Sequence, residues 1–543
     1  MDLMGETIHI WLEHQQIEAA KGDTIIQILK QQKTDQGCFA ITCNGELLDL
    51  RNKAEDGMHL SIVREGSDIA RLMQEKTLCF LIVAVVKLLY PSYTVRIEHS
   101  LDQGIYCEID HGRLSNEEIQ RVQERINQLI QEQTEITRRY ADREEAAAYF
   151  ESLGMRDKAY NIRHGQKEIC PIDRLCGIDD YFYGHLCVHA GYLPTVFAVK
   201  IKQGYWFGFH PHPKQQDKLF AVFDAYEQWG RELSIMNVPQ LNEKARKDGI
   251  DELILMSEAK VERELVELST QIATRQPACR FVLISGPSSA GKTTFSHRLK
   301  THLRVLGYRS YTIAMDDFFI NREDCALLED GTPDFENLAA IDLPLLQQTI
   351  HELLDGKEVE IPHFNFKSGR REWRGERLKI GKNDLLIMEG IHGLNPKVIE
   401  GFQQEEVFRI YVNALTHLNL DHHTRIPTRD YRLIRRMVRD YQFRGYRAQQ
   451  TLENWKHVRE GEDRNIYPYQ EEADVIFNTS MVYEMLILKK IAVPLLEAIP
   501  PQEEVYVEAK RLLSLLQYFD EADSSHIPSH SILAEFVGNS VFF

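Results

Sequence analysis

Residues 286–293 carry the glycines and side chains of a phosphate-binding loop. They read GPSSAGKT, which matches G-x-x-x-x-G-K-[ST], between an apolar run and an amphipathic run that predict a strand and a helix. Glycines let backbone N–H groups close around phosphate oxygens, and the N-terminus of the following helix attracts the same anion. The alternative is a plain glycine-rich turn. The full motif predicts triphosphate binding by Gly286, Ser288, Ser289, Ala290, Gly291, Lys292, Thr293 and Thr294.

Carboxylates that can complete a magnesium site follow two further apolar runs. Asp316 comes directly after YTIAM, and Glu389 comes directly after DLLIM. In the loop motif, Lys292 reaches the β- and γ-phosphates and the Thr293 hydroxyl holds Mg²⁺. Asp316 can accept the proton of an attacking hydroxyl or bind Mg²⁺ through water, and Glu389 can complete the metal shell. The alternative is that the acids only cap loops. We predict Thr293, Asp316 and Glu389 as the metal ligands.

A cluster of arginines repeats along one face of a predicted helix. Its members stand at i, i+3, i+4 and i+7 and are Arg432, Arg435, Arg436 and Arg439. We expect this helix to be a lid that closes over the triphosphate, neutralises charge during transfer and excludes water. A solvated basic face is the alternative.

The elements that must position these groups are five short apolar runs within residues 277–500. The runs are FVLIS, YTIAM, DLLIM, FRIYV and DVIFN, and helical patterns lie between them. This alternation predicts a parallel sheet with helices on both faces. Because functional groups in such folds emerge at the carboxyl ends of the strands, we expect the loop and the two acids to meet at one edge of the sheet.

Five longer phrases of this half occur in a characteristic order and spacing: GPSSAGKTT, MDDFF, EIPHFNF, MEGIHGL and RLIRRMVRDYQFRG. Over residues 278–500 they resemble the uridine kinase and phosphoribulokinase family of P-loop kinases. The resemblance implies a kinase that uses ATP or GTP with Mg²⁺ and phosphorylates a nucleoside such as uridine or cytidine. It implies Asp316 as the catalytic base. The remaining implied site residues are Lys292, Arg432 and Arg436 in catalysis, and Arg435 and Arg439 at the nucleotide.

The acceptor side departs from the pattern of that family. Ala339 stands where uridine kinases typically place an Asp for the ribose hydroxyls. Phe364 and Gly369 stand where they place a Tyr and a His that contact the pyrimidine. Losing polar groups that read a base costs discrimination, because hydrogen bonds supply most of it. Glu336 or Asp342 could still bind a ribose. The sequence therefore leaves the acceptor unnamed.

The N-terminal half carries two further patterns. Residues 6–64 place strand-like runs around a short helix and include the phrase NGELLDL. This β-grasp pattern resembles the TGS domain of threonyl-tRNA synthetases. SDIARLMQEKTLCFLIVAVVKLLYP then resembles the start of the α+β editing-type domain of the same enzymes. At the metal motif of that domain Lys76 and Phe80 replace His-x-x-x-His, and Gly191 takes the place of a histidine after Cys187. We therefore expect no editing chemistry there.

The predicted fold is a multidomain chain of α/β and α+β units. Its segments are a TGS-like β-grasp domain (1–65), an editing-like domain (66–215), a helical linker (216–276), a P-loop kinase domain with its parallel sheet (277–500), and a C-terminal helix and tail (501–543). The tail has no assigned role. The leading hypothesis is a nucleoside kinase that acts on a nucleoside triphosphate and a small hydroxyl acceptor. One alternative is a nucleotide-gated regulator that binds tRNA, and another is a kinase whose front half senses a small molecule.

Composition excludes several other classes. The 543 residues carry a formal net charge of −18, which argues against a general nucleic-acid coat, so tRNA binding has no support from charge. The longest apolar stretch, residues 78–86, is too short to span a bilayer, so we expect no membrane association. Nine cysteines without a C-x-x-C pair suit reduced thiols in a cytoplasm. A homo-oligomer is compatible with the family resemblance, although the sequence shows no interface pattern.

Overall fold

Five strands and one helix form the first unit of the computed structural model, which describes residues 7–328 and 331–542. In chain order they are β1 (Thr7–Leu12), β2 (Gln15–Ala20), α1 (Ile25–Gln32), β3 (Cys38–Cys43), β4 (Glu46–Leu48) and β5 (His59–Arg64). The sheet order is β2-β1-β5-β3-β4, with β1 parallel to β5. Asn44 and Gly45 have φ angles of 51° and 75°, as the tight β3–β4 turn requires. The β-grasp assignment stays a prediction.

Two antiparallel sheets surround a long buried helix in the second unit. In chain order its elements are α2 (Asp68–Leu89), β6 (Thr94–Leu101), β7 (Gly104–Asp110), α3 (Asn116–Gln131), β8 (Thr137–Asp142), α4 (Arg143–Ser152), α5 (Arg156–His164), β9 (Ile169–Leu175), β10 (Ile178–Asp180), β11 (Phe197–Ile201) and β12 (Gly204–Gly208). The sheet orders are β10-β9-β8 and β11-β12-β7-β6. Residues 77–86 of α2 are all buried, which explains why this helix is apolar on every side. The resemblance of this unit to an editing domain stays a prediction.

Three helices connect this half to the next: α6 (Asp217–Leu233), α7 (Val238–Asp248) and α8 (Ile250–Thr274). The predicted helical character is present, but α8 is not a free connector. Its apolar side, including Leu253, Val261 and Leu265, is buried in the same core as the C-terminal sheet. Arg298 of the next helix donates to Glu258 at 3.2 Å and to Glu262 at 2.7 Å. The segment therefore behaves as an outer layer of the C-terminal half.

A parallel sheet of five strands organises the C-terminal half. Its elements in chain order are β13 (Phe281–Ser285), α9 (Lys292–Val305), β14 (Ser310–Ala314), α10 (Leu343–Leu354), β15 (Glu358–Asn365), β16 (Arg370–Lys379), β17 (Leu385–Glu389), β18 (Val407–Asn413), β19 (Asn419–Asp421), β20 (Thr424–Arg425), α11 (Thr428–Arg439), α12 (Ala448–Asn465), β21 (Val475–Asn478) and α13 (Glu484–Glu497). The sheet order is β14-β17-β13-β18-β21, and every pair in it is parallel. The five apolar runs are these five strands, so the predicted parallel sheet is confirmed.

Alternate residues of the central strand face two different cores. Val282 and Ile284 pack with α8, α9, α11 and α13, whereas Phe281 and Leu283 pack with α10 on the other face. The tail adds α14 (Tyr506–Leu516) and α15 (Ala534–Val537), whose apolar residues join the first of these cores. Helices thus cover both faces of the sheet, as predicted. Within the described ranges, no helix has the length and apolarity that crossing a membrane requires.

Candidate active site

The phosphate-binding loop, residues 286–293, follows β13 at the carboxyl edge of the sheet. Gly286 lies against β18, and a Cβ atom added there would stand 2.0 Å from the carbonyl oxygen of Val412, so no side chain fits. Ser289 and Gly291 have φ angles of 59° and 79°, which turns the backbone around the loop centre. Lys292 begins α9, and its Nζ donates to the carbonyl oxygens of Gly286 at 2.9 Å and Pro287 at 3.1 Å. The lysine therefore lies across the loop.

Two features of the loop fit a phosphate group. The Ser289 hydroxyl is buried and has no hydrogen-bond partner among the described residues, which leaves a polar atom for a ligand. The first turn of α9 contributes backbone N–H groups that lack partners inside the helix, and its dipole favours an anion. The loop and the start of α9 therefore present donor groups of the kind that phosphate oxygens require.

The predicted metal ligands come together beside the loop. The Thr293 hydroxyl donates to Oε1 of Glu389 at 3.0 Å. Glu389 ends β17, and Asp316 lies in a 3₁₀ turn just after β14, the neighbouring strand. Burial raises the pKa of Glu389 to about 7 and also raises the pKa of Asp316, while the positive charge of Lys292 opposes both shifts. Two carboxylates and a hydroxyl suit Mg²⁺, which prefers oxygen ligands.

Two of the four predicted lid arginines contact the loop. Arg432 is only 1% exposed, and its Nη1 donates to the carbonyl oxygen of Ser288 at 3.1 Å. Arg436 donates to the hydroxyl of the same serine at 2.6 Å. Glu462 of α12, which sequence reasoning missed, accepts from Arg432 at 2.5 and 2.8 Å and from the Ser288 N–H at 3.0 Å. The Arg432–Glu462 pair therefore holds the backbone of the loop at Ser288.

The other two arginines differ from the predicted lid face. Arg435 is completely buried, and its guanidinium donates to Oε2 of Glu484 at 2.9 Å and to the carbonyl oxygen of Thr479 at 2.9 Å. Arg439 pairs with Asp440 at 3.3 Å, and burial lowers the pKa of Arg439 to about 10. The helix is thus not a solvated basic face, because buried acids take up its charges. Among the residues that the structure describes, Arg435 makes no hydrogen bond or ion pair to the loop.

The C-terminal tail also reaches the loop, which nothing in the sequence signalled. Glu535 of α15 accepts hydrogen bonds from the Thr294 hydroxyl at 2.7 Å and from the Thr294 N–H at 3.3 Å. A Cβ atom added to Gly291 would stand 2.6 Å from Cγ2 of Ile532. Thr294 is one of the residues predicted to bind the nucleotide. The tail therefore lies directly on the predicted donor site.

A partly buried carboxyl and a group of aromatic rings lie in the region where the sequence predicts the acceptor. Burial raises the pKa of Glu336 to about 7, and the charges that act on it include Glu462, Arg436, Lys292 and Asp316. Neighbouring rings make edge contacts with centroids 5.2 to 6.3 Å apart, and they belong to Phe319, Phe335, Phe364 and Phe366.

None of the three positions that depart from the family pattern carries a side chain that could form a hydrogen bond with a nucleoside. Ala339 is exposed on a 3₁₀ turn, Phe364 is buried, and Gly369 has a φ angle of 71° in the β15–β16 hairpin. Asp342 caps α10 by accepting from the Leu345 N–H at 3.2 Å and also pairs with an arginine. Of the two acids that the sequence offers for a ribose, Glu336 is the one near the charges of Lys292 and Asp316.

Comparisons with known proteins agree with this geometry. Residues 281–485 match the model of the Phosphoribulokinase / Uridine kinase family. The uridine kinase of Staphylococcus aureus (strain JH9) is 26% identical over 200 residues, which are 37% of this chain and 87% of that protein. Residues 281–485 are thus a P-loop kinase domain of this family.

Solved structures show weaker likeness. The "Structure of a Possible Uridine Kinase from Bacillus stearothermophilus" is 19% identical, with a TM-score of 0.28, and covers 40% of this chain and 98% of that chain. The D-glycerate 3-kinase from Cryptococcus neoformans is 15% identical, with a TM-score of 0.22, and covers 52% of this chain and 88% of that chain.

Proposed function

We propose that the protein transfers the γ-phosphoryl group of ATP or GTP to a hydroxyl of a small molecule, and that the acceptor is a nucleoside. The observation that carries the proposal is the meeting of Lys292, Thr293, Glu389 and Asp316 at one edge of the sheet. Each group has a separate part in phosphoryl transfer, and all four come from the ends of adjacent strands. The curated uridine kinase that resembles residues of this domain supports the nucleoside as acceptor.

The donor residues of this chain bind and orient the triphosphate. The loop N–H groups and Lys292 hold the phosphates, while Arg436, which contacts Ser288, adds positive charge where the transferred group becomes more negative. Thr293 and Glu389 would hold Mg²⁺ directly and Asp316 would hold it through water, and the ion would supply charge neutralisation when bound. The Arg432–Glu462 pair keeps the loop in position from behind.

Asp316 is the proposed general base. Burial raises the pKa of this carboxyl, which makes it a better proton acceptor than an exposed aspartate, and the Lys292 charge favours its ionised form. A hydroxyl placed between Asp316 and the loop can lose its proton as it attacks the phosphorus. Glu336, on the acceptor side of the same charges, can accept a hydrogen bond from another hydroxyl of the acceptor.

The proposed acceptor side suits a flat ring without strict recognition of its edge. Among the phenylalanines around Phe364, Phe366 is 60% exposed and offers an apolar face, and Ala339 and Gly369 offer no side-chain hydrogen bonds. A hydrophobic site discriminates weakly between rings of similar size. We therefore propose a nucleoside acceptor with relaxed base preference.

A panel of nucleosides, deoxynucleosides and sugar phosphates tests the proposal. Each compound is incubated with the full chain, Mg²⁺ and either ATP or GTP, and phosphorylated products are identified by mass spectrometry. We expect a nucleoside monophosphate whose formation requires both metal and Lys292. If no nucleoside gives a product while another hydroxyl compound does, the acceptor assignment is wrong. If none of the compounds gives a product, the proposed function is wrong.

A further inference from the structure

A second cavity, remote from the phosphate loop, lies where the two halves of the chain meet. It has a volume of about 270 Å³. Its walls come from α2, from the segment 181–185, from β20 and the start of α11, and from α14. The proposed phosphoryl transfer uses none of these residues. Apolar and aromatic side chains make up much of the wall, among them Met73, Phe182, Leu515 and Tyr518.

Most of the charges around this cavity are already paired. Arg425 donates to Oε1 of Glu75 at 2.7 Å, and Arg511 donates to Oδ2 of Asp430 at 2.6 Å. Lys76 has no such partner, because among the described residues no carboxylate lies within ion-pair distance of its Nζ. The Nζ atom instead donates to the carbonyl oxygen of Tyr183 at 2.6 Å. The surplus charge of the cavity is therefore positive.

His185 supplies a second polar group without a partner. Its Nδ1 is buried and makes no hydrogen bond to any residue that the structure describes. Burial lowers the pKa of His185 to about 3, so the ring is neutral and can donate one N–H. Burial also lowers the pKa of Lys76 to about 8. In both groups burial disfavours the charged form and lowers the pKa, as expected for cations that lack an anionic partner.

The backbone beside Lys76 leaves room for its ammonium. Gly184 has a φ angle of 129°, and a Cβ atom added there would stand 2.6 Å from Nζ of Lys76. A side chain at this position would displace the lysine. The chain thus holds an amine at the wall of an apolar cavity, with space in front of it.

We propose that this cavity binds a small organic anion with an apolar body. The anionic group pairs with Lys76 and accepts a hydrogen bond from His185, and the body contacts the side chains around Met73 and Phe182. The volume is below the range of about 300–1,000 Å³ that holds drug-sized ligands, so the ligand is close to an amino acid in size. Carboxylates and phosphate esters share this chemistry.

Direct binding to the full chain tests the site without any assay of activity. Isothermal titration calorimetry is done with phenylacetate, phenyl phosphate and the neutral analogue phenylacetamide. We expect at least one of the two anions to bind, and phenylacetamide to bind about tenfold more weakly or worse. Lys76→Met should weaken anion binding by about tenfold or more. Absence of binding by both anions at about 10 mM overturns the proposal, as does equal binding of the amide.

Lys87→Met is the matched control. Lys87 lies on the same helix and also donates to a backbone carbonyl oxygen, that of Pro91 at 2.6 Å, but it is exposed and lies outside the cavity. This variant should bind the anions as the wild type does. Lys76→Arg keeps the charge and should retain part of the affinity, which separates loss of charge from loss of fold. If Lys76→Met binds as tightly as the wild type, the assignment of Lys76 is wrong.

A second inference concerns the tail and is carried by the contact between Glu535 and Thr294. Thr294 lies in the first turn of α9, where backbone N–H groups have no partners inside the helix and suit an anion. The Glu535 carboxylate takes the N–H and the hydroxyl of this residue at 3.3 and 2.7 Å. Around it, Ile532, Leu533 and Phe536 are completely buried. The tail thus places a negative charge where the predicted triphosphate would bind.

The structure assigns residues 531–537 as an autoinhibitory segment that competes with the nucleotide, an inference that rests on the proposed function. The Glu535 carboxylate occupies a donor group that phosphate oxygens need, and its charge repels theirs. The same charge contributes to raising the pKa of Glu389. Nucleotide binding then requires the segment to leave α9, and any factor that holds the tail away activates the protein.

Equilibrium binding of a fluorescent ATP analogue separates this inference from the proposed function. We expect Glu535→Gln to lower the Kd by about tenfold relative to the wild type, because it removes the competing charge. Glu521→Gln, an exposed tail residue, should leave the Kd unchanged. Equal Kd values for the wild type and Glu535→Gln overturn the autoinhibition. If no protein shows binding that depends on Lys292, the proposed function itself fails.

Hydrogen–deuterium exchange gives a second readout. Adding the nucleotide should increase exchange in residues 531–537, because the segment leaves α9, while exchange in the loop should fall. If residues 531–537 stay protected when the loop becomes protected, the tail and the nucleotide bind together and the inference is wrong.

Discussion

The donor and acceptor sides of the active site are built in different ways. On the donor side, one run of eight residues supplies the loop, and close backbone contact sets its shape, as the fit of Gly286 against Val412 shows. On the acceptor side, Glu336 and Phe364 come from separate segments of the chain and are placed by packing. The phosphate loop of the proposed donor side is thus local and made of backbone, whereas the proposed acceptor side is assembled from side chains of separate segments.

This difference explains why the chemistry of one side is easier to infer. A triphosphate is held mainly by N–H groups and a lysine, which a short motif encodes. The acceptor is held by side chains, so substitutions such as Ala339 or Gly369 can change the substrate while the loop stays intact. A substitution on the donor side should therefore lower the rate of phosphorylation of every acceptor equally. A substitution on the acceptor side should lower the rate for some acceptors and not for others.

The largest expected effect is on the donor side. Lys292→Ala should lower kcat by about 10²–10³-fold with every acceptor, because it removes a charge that faces the transferred group. Lys300→Ala, further along the same helix, is the matched control and should change kcat little. Steady-state kinetics with two acceptors measures both. A loss with only one acceptor would contradict the separation of the two sides.

Breaking the buried pair behind the loop should affect stability and nucleotide binding together. Glu462→Gln leaves the Arg432 charge buried without its partner, which we expect to cost about 3–5 kcal/mol. Thermal unfolding and nucleotide titration are the measurements. Glu460→Gln, an exposed position two residues earlier on α12, should leave both unchanged. Normal nucleotide affinity in Glu462→Gln would show that the pair does not support the loop.

A change on the proposed acceptor side should raise the KM for the acceptor and leave the KM for the nucleotide unchanged. Glu336→Gln should raise the KM for the phosphoryl acceptor by about tenfold. The reason is that an amide oxygen accepts a hydrogen bond from a ligand hydroxyl more weakly than a carboxylate oxygen does. The KM for the nucleotide should stay near its wild-type value. Glu352→Gln, at a half-buried position on α10, serves as the control. Equal increases in both KM values would contradict the placement of Glu336 on the acceptor side.

The smallest expected effect is a pH dependence of metal binding. Because burial raises the pKa of Glu389 to about 7, its metal-binding ionised form becomes more populated as the pH rises from 6 to 8. The apparent Mg²⁺ affinity should therefore rise several-fold over this range, and the rise should be smaller in Glu389→Gln. Titrations of nucleotide binding with Mg²⁺ at each pH measure it.

The same shift has an opposite consequence for stability without metal. A carboxyl whose pKa is raised from 4.5 to about 7 on folding stabilises the fold below 4.5, and this contribution is lost as the pH rises through 7. Thermal midpoints of the metal-free wild type should thus fall more between pH 5 and 7 than those of Glu389→Gln. Identical pH profiles would show that Glu389 is not the titrating group.

Short-range patterns predicted the parts of the molecule that depend on neighbouring residues. The five strands of the C-terminal sheet, the loop, and the position of Asp316 and Glu389 at strand ends follow from alternation of apolar runs and turns. Periodicity placed Arg435 with the other predicted lid arginines, because it does not reveal that Glu484 lies opposite Arg435. The front-half domain assignments stay predictions.

The residues that were missed act over long separations in the chain. Glu462 is 174 residues from Ser288, and Glu535 is 241 residues from Thr294. A single glutamate in a mixed helix or an apolar tail has no local pattern that points to such a partner. Only the packing of α12 and of the tail against the loop reveals them.

The most direct test of the central claim is transfer of labelled γ-phosphate by the wild type and by Asp316→Asn. We predict that the wild type forms a labelled nucleoside monophosphate. We predict that Asp316→Asn loses most of this product while it still binds the nucleotide through the loop. Undiminished product in Asp316→Asn, or release of labelled phosphate that no hydroxyl compound intercepts, would contradict the account.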